Sequence, residues 1–229
     1  MKKYYIYLMA IASSLMGCQY DNFEEPKAML SGNVIYNGEK VGVDNKEVSR
    51  LELWQDGYDL DVSIPIYMAQ DGSYSVSLFD GEYKMVRKSN GPWVSELSDT
   101  LYITVKGNTV YDVPVTPYFT ISDEKYNVGA NGAINASFSV NKIIDNAKLK
   151  EVKLFFGYNI LIDNGANSNG DGDNGAFDVS TVDFIDLNQV TATIPEALRG
   201  EEYLFVRMGV KSSVSDEFYY TQVQKVSLK

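Results

Sequence analysis

The chain of 229 residues is predicted to be all-β, two tandem β-sandwiches behind an N-terminal segment that is cleaved from the mature protein. Three observations carry this expectation. From Ala28 onward, short runs of β-branched and aromatic residues alternate with polar ones. Gly, Asn, Asp or Pro interrupts them roughly every 8–12 residues, the rhythm of sandwich strands and their turns. No stretch sustains a long helical apolar period. The first 17 residues have the build of an export leader: Lys2 and Lys3, then an apolar run over 4–16 that is shorter than the ~20 residues needed to cross a bilayer.

The leader closes on Leu15-Met16-Gly17-Cys18, which resembles the lipobox of bacterial lipoproteins, where the cysteine is acylated and the peptidase cuts in front of it. Met16 departs from the small residue usual at its position. The resemblance implies a signal peptide at 1–17 and a lipid anchor at Cys18. A buried core thiol, the common state of a free cysteine, does not suit a residue that precedes every predicted strand. Cys18 is the only cysteine, so no internal disulfide can form and the fold must hold by packing.

Removing the two leader lysines leaves 18 basic against 31 acidic residues, a balance of −13. So acidic a surface repels phosphate backbones and anionic headgroups, which argues against a nucleic-acid partner and leaves the membrane to be held through acyl chains. Residues 18–27 read as an acidic tether. Asp21, Glu24 and Glu25 within it resemble the signal that sends Bacteroidetes lipoproteins to the outer face of the outer membrane; a solvated linker kept extended by its charge is the alternative.

In the first half the candidate strands are 29–36, 48–55, 62–69, 73–79, 82–87, 101–106 and 109–115. Between Ser73 and Phe79 the alternation is clean: Tyr74, Val76 and Leu78 share one face while Ser73, Ser75 and Ser77 share the other. Asp71-Gly72 and Asp80-Gly81 supply turns on either side. The run from Gly72 through Tyr74, Val76, Leu78 and Gly81 to Tyr83 resembles the hairpin of carboxypeptidase-regulatory-like domains, and Leu30-Ser31-Gly32-Asn33-Val34 resembles their opening strand. That resemblance implies a transthyretin-like sandwich over 28–117, of a kind that serves as spacer or binding module.

Pro114 and Pro117 mark a boundary, because two prolines so close cannot both sit in a central ladder. The second half offers strands 118–122, 133–140, 149–158, 176–182, 189–194, 203–211 and 218–228. Ile134, Ala136, Phe138 and Val140 are expected to face inward. The stretch Leu198-Arg199-Gly200-Glu201-Glu202-Tyr203 resembles the corner of fibronectin type III domains, in which a tyrosine hydroxyl ties the loop to the sandwich. A seven-stranded immunoglobulin-like sandwich is therefore expected over 118–229. Lipobox, regulatory-like domain and terminal immunoglobulin-like domain together resemble an uncharacterised family of Bacteroidetes surface lipoproteins, commonly found with glycan importers of the outer membrane.

Catalysis is not expected. Histidine is absent, which removes the usual general base and excludes Ser-His and Cys-His nucleophilic sites. A glycosidase-like carboxylate pair is formally available among the acidic residues, but most of these stand at turns or on polar strand faces. One candidate metal site is the loop 163–178, where oxygen side chains at Asn167, Asn169, Asp171 and Asp173, closed by Asp178, have a spacing suited to calcium. Asn167 and Asp178 depart from the usual Asp and Glu, and no helices flank the loop, so a Gly/Asn-rich hairpin insertion is the favoured alternative. The candidate ligand-binding residues are Trp54, in phase with Arg50, Glu52 and Asp56 on the solvent face, and Trp93 in the turn-rich stretch 89–93. Each indole could stack on a sugar ring, or could instead pack under the second domain (Trp54) or over a sandwich end (Trp93).

The function implied is that of a non-catalytic, lipid-anchored binding or accessory protein of a polysaccharide-uptake system, its first sandwich a spacer and its second presenting loops. A structural subunit or adhesin of a surface filament is the alternative.

Overall fold

The computed structural model describes residues 24–57, 62–129, 132–164, 176–181 and 188–229. Among these the chain is built from strands, with one single-turn 3-10 helix at Glu196–Leu198 and no α-helix. The protein is all-β and forms two tandem β-sandwiches.

The first sandwich is organised around β1 (Ala28–Tyr36). The short β2 (Glu39–Lys40) folds back on it through Asn37-Gly38, both at positive φ (51° and 83°), as a tight two-residue hairpin requires. The facing sheet runs β4 (Ile64–Ile66), β3 (Leu51–Trp54), β6 (Gly81–Arg87), β7 (Glu96–Val105), every pair antiparallel. β5 (Ser73–Leu78) pairs antiparallel with β1, while β8 (Asn108–Val110) and β9 (Val113–Pro114) run parallel to it. Pro114 thus lies on an edge, where its missing N–H costs no central ladder bond.

β5 and β6 lie in different sheets, so the segment expected to be a hairpin is a corner that carries the chain across the sandwich. Buried Tyr83 closes that corner: its hydroxyl donates to the Phe79 carbonyl at 3.0 Å, four residues upstream. Among the described residues Tyr203 does not make the tyrosine tie expected of it. Tyr203 instead stacks edge-on against Phe205 and carries Lys225 Nζ 3.4 Å from its ring centre, and its corner is anchored by buried Leu198.

The second sandwich sets three strands on four. One sheet is β10 (Phe119–Gly129), β11 (Ala133–Lys142), β14 (Gln189–Thr193). The other is β13 (Ala176–Thr181), β12 (Leu149–Gly157), β15 (Tyr203–Ser212), followed by an interrupted edge strand whose two pieces, β16 (Phe218–Tyr220) and β17 (Gln224–Ser227), both pair with β15. β10 is longer than the expected 118–122. Asp123 at φ 57° forms a bulge after Ser122, and the ladder resumes at Lys125. As expected, Ile134, Ala136 and Phe138 are buried, while Val140, near the end of the strand, is half-buried against the same core.

The two sandwiches do not keep separate cores. One contiguous buried cluster runs from Leu30 and Leu51 in the first through Trp93 and Val115 to Leu154 and Val206 in the second. The segment between β2 and β3 joins them: Gly42 forms a bridge with Tyr220, whose N–H donates to the Gly42 carbonyl at 3.1 Å.

Candidate functional site

Among the described residues two clusters of polar side chains bear on function, and burial separates their roles. The first is the junction between the sandwiches. Arg50, fully buried, donates from Nη2 to Asp44 Oδ1 and to Glu217 Oε2 (3.1 Å), and from Nε to the Asn90 carbonyl (3.1 Å). Lys46 Nζ lies 2.8 Å from the other Asp44 oxygen. Arg207, also fully buried, donates to the Val43 carbonyl at 3.0 Å and stacks 3.8 Å over the Tyr220 ring. Asp163 accepts the Asn45 N–H at 2.7 Å. Arg87, whose Nη1 donates to the Pro114 carbonyl at 2.7 Å, fixes the exit toward the second sandwich.

Burial is the largest single influence on the titration of Glu217, Asp44 and Arg207. It pushes Glu217 up, and the neighbouring Asp44 adds to the rise. Burial also pushes Asp44 up, but the Lys46 hydrogen bond and the Arg50 charge outweigh it and the net shift is downward. Burial lowers Arg207 to about 10, which leaves it cationic at neutral pH. The junction is a buried clasp of charges.

The second place is open. On the solvent face of β3, β6 and β7, Trp54 stands directly opposite Lys84, and Lys84 directly opposite Tyr102, so the three form a row across the strands. Adjacent strands lie about 4.8 Å apart, which puts the two rings roughly 10 Å from each other. Trp54 is half-buried and Tyr102 is 73% exposed. Lys84 Nζ lies 2.8 and 2.6 Å from the two carboxylate oxygens of Asp56. Exposed Glu82 accepts the Thr104 hydroxyl at 2.8 Å. Two adjoining grooves open here. One, of about 280 Å³, is lined by Trp54, Gln55, Asp56, Lys84, Val86 and Thr100. The other, of about 340 Å³, reaches Glu82 and Tyr102.

Of the residues singled out from sequence, Trp54 therefore lies on an open face. Trp93 does not: it is 1% exposed, bridges Pro117 in the link between the sandwiches, and packs so tightly on Gly91 that no side chain fits there. Its indole packs at the junction and is not open to the stacking expected of it. Arg50 also leaves the expected face, because β3 begins only at Leu51 and the residue before it turns inward. Cys18, Asn167, Asn169, Asp171 and Asp173 lie outside the described residues; Asp178 stands on β13, and its side chain is outside them too. Among the described residues no group of three or more acidic or thiol side chains is placed to hold a metal ion, and no helix is long and apolar enough to cross a membrane.

Sequence reasoning missed Tyr102. Its neighbours Leu101, Ile103 and Val105 mark the buried phase of β7, and that phase alone points Tyr102 and Thr104 to solvent.

Fold and face define a tandem β-sandwich protein with an aromatic and polar sheet surface and a rigidly clasped domain junction. The chain belongs to the DUF3823 family: the model for the protein of unknown function (DUF3823) N-terminal domain matches residues 28–116, and the model for the domain of unknown function DUF3823_C matches 119–225. Among solved structures, a DUF3823 family protein from Bacteroides ovatus is 44% identical, with a TM-score of 0.79 over 89% of this chain and 100% of that one. A family member from Parabacteroides merdae is 29% identical, with a TM-score of 0.76 over 89% of this chain and 100% of that one. A Bacteroides uniformis structure described as that of a candidate carbohydrate-binding protein shares the fold at 21% identity, with a TM-score of 0.68 over 88% of this chain and 99% of that one. No curated protein matches the chain.

Proposed function

We propose that the protein is a non-catalytic, lipid-anchored surface protein that binds polysaccharide for an outer-membrane uptake system, and that the solvent face of β3, β6 and β7 is its binding surface. The row Trp54–Lys84–Tyr102 carries the reading. Two aromatic faces flanked by amide, carboxylate and ammonium groups suit a ligand that is apolar on its ring faces and rich in hydroxyls at its edges. The description of the Bacteroides uniformis relative points the same way. This moves the binding role from the second sandwich to the first, which becomes more than a spacer.

The position of the face suits the anchor. Gly81 packs against the Gln55 amide, and Gly107 N–H donates to Asp80 beside the start of β1, so the grooves lie at the end of the sandwich where the chain enters it. A tether over 18–27 reaches at most about 35 Å, which would hold a bound glycan near the membrane. Loss of palmitate-analogue labelling in Cys18→Ala is the expected result for the anchor; unchanged labelling would refute it.

Binding is measured as retention of the soluble domains on immobilised polysaccharides, where many weak sites act together. The wild type should be retained by at least one polymer. Trp54→Ala and Tyr102→Ala, confirmed folded by their melting temperatures, should each weaken retention roughly tenfold, equivalent to about 1.4 kcal/mol. A wild type retained by none of a broad panel would overturn the proposal.

A further inference from the structure

We infer that the face takes uncharged polysaccharide and rejects acidic polymers such as uronates and sulfated glycans, with Asp56 and Glu82 as the residues that set this preference. The inference rests on the reading of the face as a glycan surface and concerns the charge of what it accepts.

Among the described residues Lys84 is the only cation lining the two grooves, and it stands at their centre between the two rings. An ammonium there has the charge to attract a carboxylate or sulfate. It is already engaged, however: both oxygens of Asp56 lie within 2.8 Å of its Nζ. Glu82, two residues before Lys84 and on the same side of β6, is exposed and makes no ion pair among the described residues, its oxygen taken only by the Thr104 hydroxyl. The lining therefore holds two carboxylates against one ammonium. The pair beside it, Lys88 with Glu52 at 2.6 Å, is balanced and adds no free positive charge.

An acidic polymer laid over this face would meet an unpaired carboxylate at Glu82, and could reach Lys84 only by displacing Asp56. The same repulsion recurs wherever the polymer presents an anionic residue, and the chain's net charge of −11 strengthens it at low salt. A neutral sugar meets none of this. Its hydroxyls can donate to Asp56 and Glu82 and accept from the Gln55 amide, while its ring faces lie on Trp54 and Tyr102.

Native electrophoresis through gels containing single polymers tests the inference. The neutral probes are a soluble β-glucan, a galactomannan and amylopectin; the acidic ones are polygalacturonate, alginate and chondroitin sulfate. The wild type should be retarded by at least one neutral polymer and by no acidic one. The double variant Asp56→Asn/Glu82→Gln, whose two sites are exposed, removes both carboxylates of the described lining while Lys84 keeps its charge. Retardation by acidic polymers should then appear, fade at about 0.5 M salt, and vanish when Lys84→Ala is added. If the wild type is retarded by an acidic polymer as strongly as by any neutral one, and Trp54→Ala abolishes this, the charge preference is overturned while the binding face stands. If the double variant gains nothing, Asp56 and Glu82 do not set the preference. Failure of every polymer to retard the wild type would overturn both the preference and the glycan reading beneath it.

Discussion

Arg50 and Trp54 stand on the same side of the pleat in sequence and end in opposite environments. Strand alternation puts both on the solvent face with Glu52, and it holds only from Leu51 onward, where β3 begins. One residue earlier the backbone is free of the ladder, and Arg50 turns into the junction, where Asp44 and Glu217 neutralise it and the Asn90 carbonyl takes a third N–H. A guanidinium suits this place because its planar fork serves several acceptors at once. Its removal strands two carboxylates in a desolvated site, which is far more costly than losing an exposed pair. Arg50→Met, which keeps most of the volume, should destabilise the protein by about 3–5 kcal/mol. Replacing half-buried Lys84 by Met should cost about 1 kcal/mol or less, since its Asp56 partner stays in water. Chemical denaturation of both variants reads the contrast, and equal losses would show that the junction charges do not brace the fold.

At the scale of elements, what sequence reveals is what local pattern encodes. β5 and β11 were legible because small and polar residues alternate with Tyr, Val, Leu, Ile and Phe in strict period two, and their buried faces are those expected. β2 was not legible: two charged residues have no apolar phase, and only the Asn37-Gly38 turn before them signals a hairpin. Pairing is a further step removed. The pattern from Gly72 to Tyr83 fixes two strands and a turn between them, but whether that turn folds β6 onto β5 or carries it to the opposite sheet depends on partners far along the chain, β1 for one and β3 and β7 for the other. The tyrosine tie shows the same gap. Tyr83 and Tyr203 both follow glycine-containing turns, and only the first finds a carbonyl within reach. For the candidate site, Trp54 could be placed by phase, whereas the row it forms with Lys84 and Tyr102 required the register of three strands. Trp93 was misplaced because a loop has no phase, and nothing local distinguishes an indole that faces water from one that closes a domain junction.

The whole molecule is tied together by charges contributed from both sandwiches: Asp44, Lys46 and Arg50 from the first, and Asp163, Arg207 and Glu217 from the second. Because one contiguous buried cluster runs through both sandwiches beside this clasp, separating the domains means unfolding both, and melting should follow one cooperative transition. The clasp also gives stability a definite pH dependence. Glu217 is raised above its ordinary value, first by burial and then by Asp44, so the folded state favours its protonated form. Its contribution is full below the unfolded value of about 4.3 and is lost as pH rises through the raised folded value. Asp44 is lowered, and its contribution is present above the unfolded value of about 3.9 and lost as pH falls through the folded one. The two arms meet in mildly acidic solution, where Glu217 carries the proton that ionised Asp44 accepts. The melting temperature should therefore rise as pH is lowered from 7 toward about 4.5, then fall below about 3.9. Part of that rise comes from titrating the excess surface carboxylates, which Glu217→Gln leaves in place. The amide keeps a donor toward Asp44 and cannot ionise, so this variant should melt higher than the wild type at pH 7 and show a shallower rise toward pH 4.5. Parallel curves for the two proteins across that interval would refute the shared-proton clasp, because the wild type would then have no Glu217 ionisation coupled to folding.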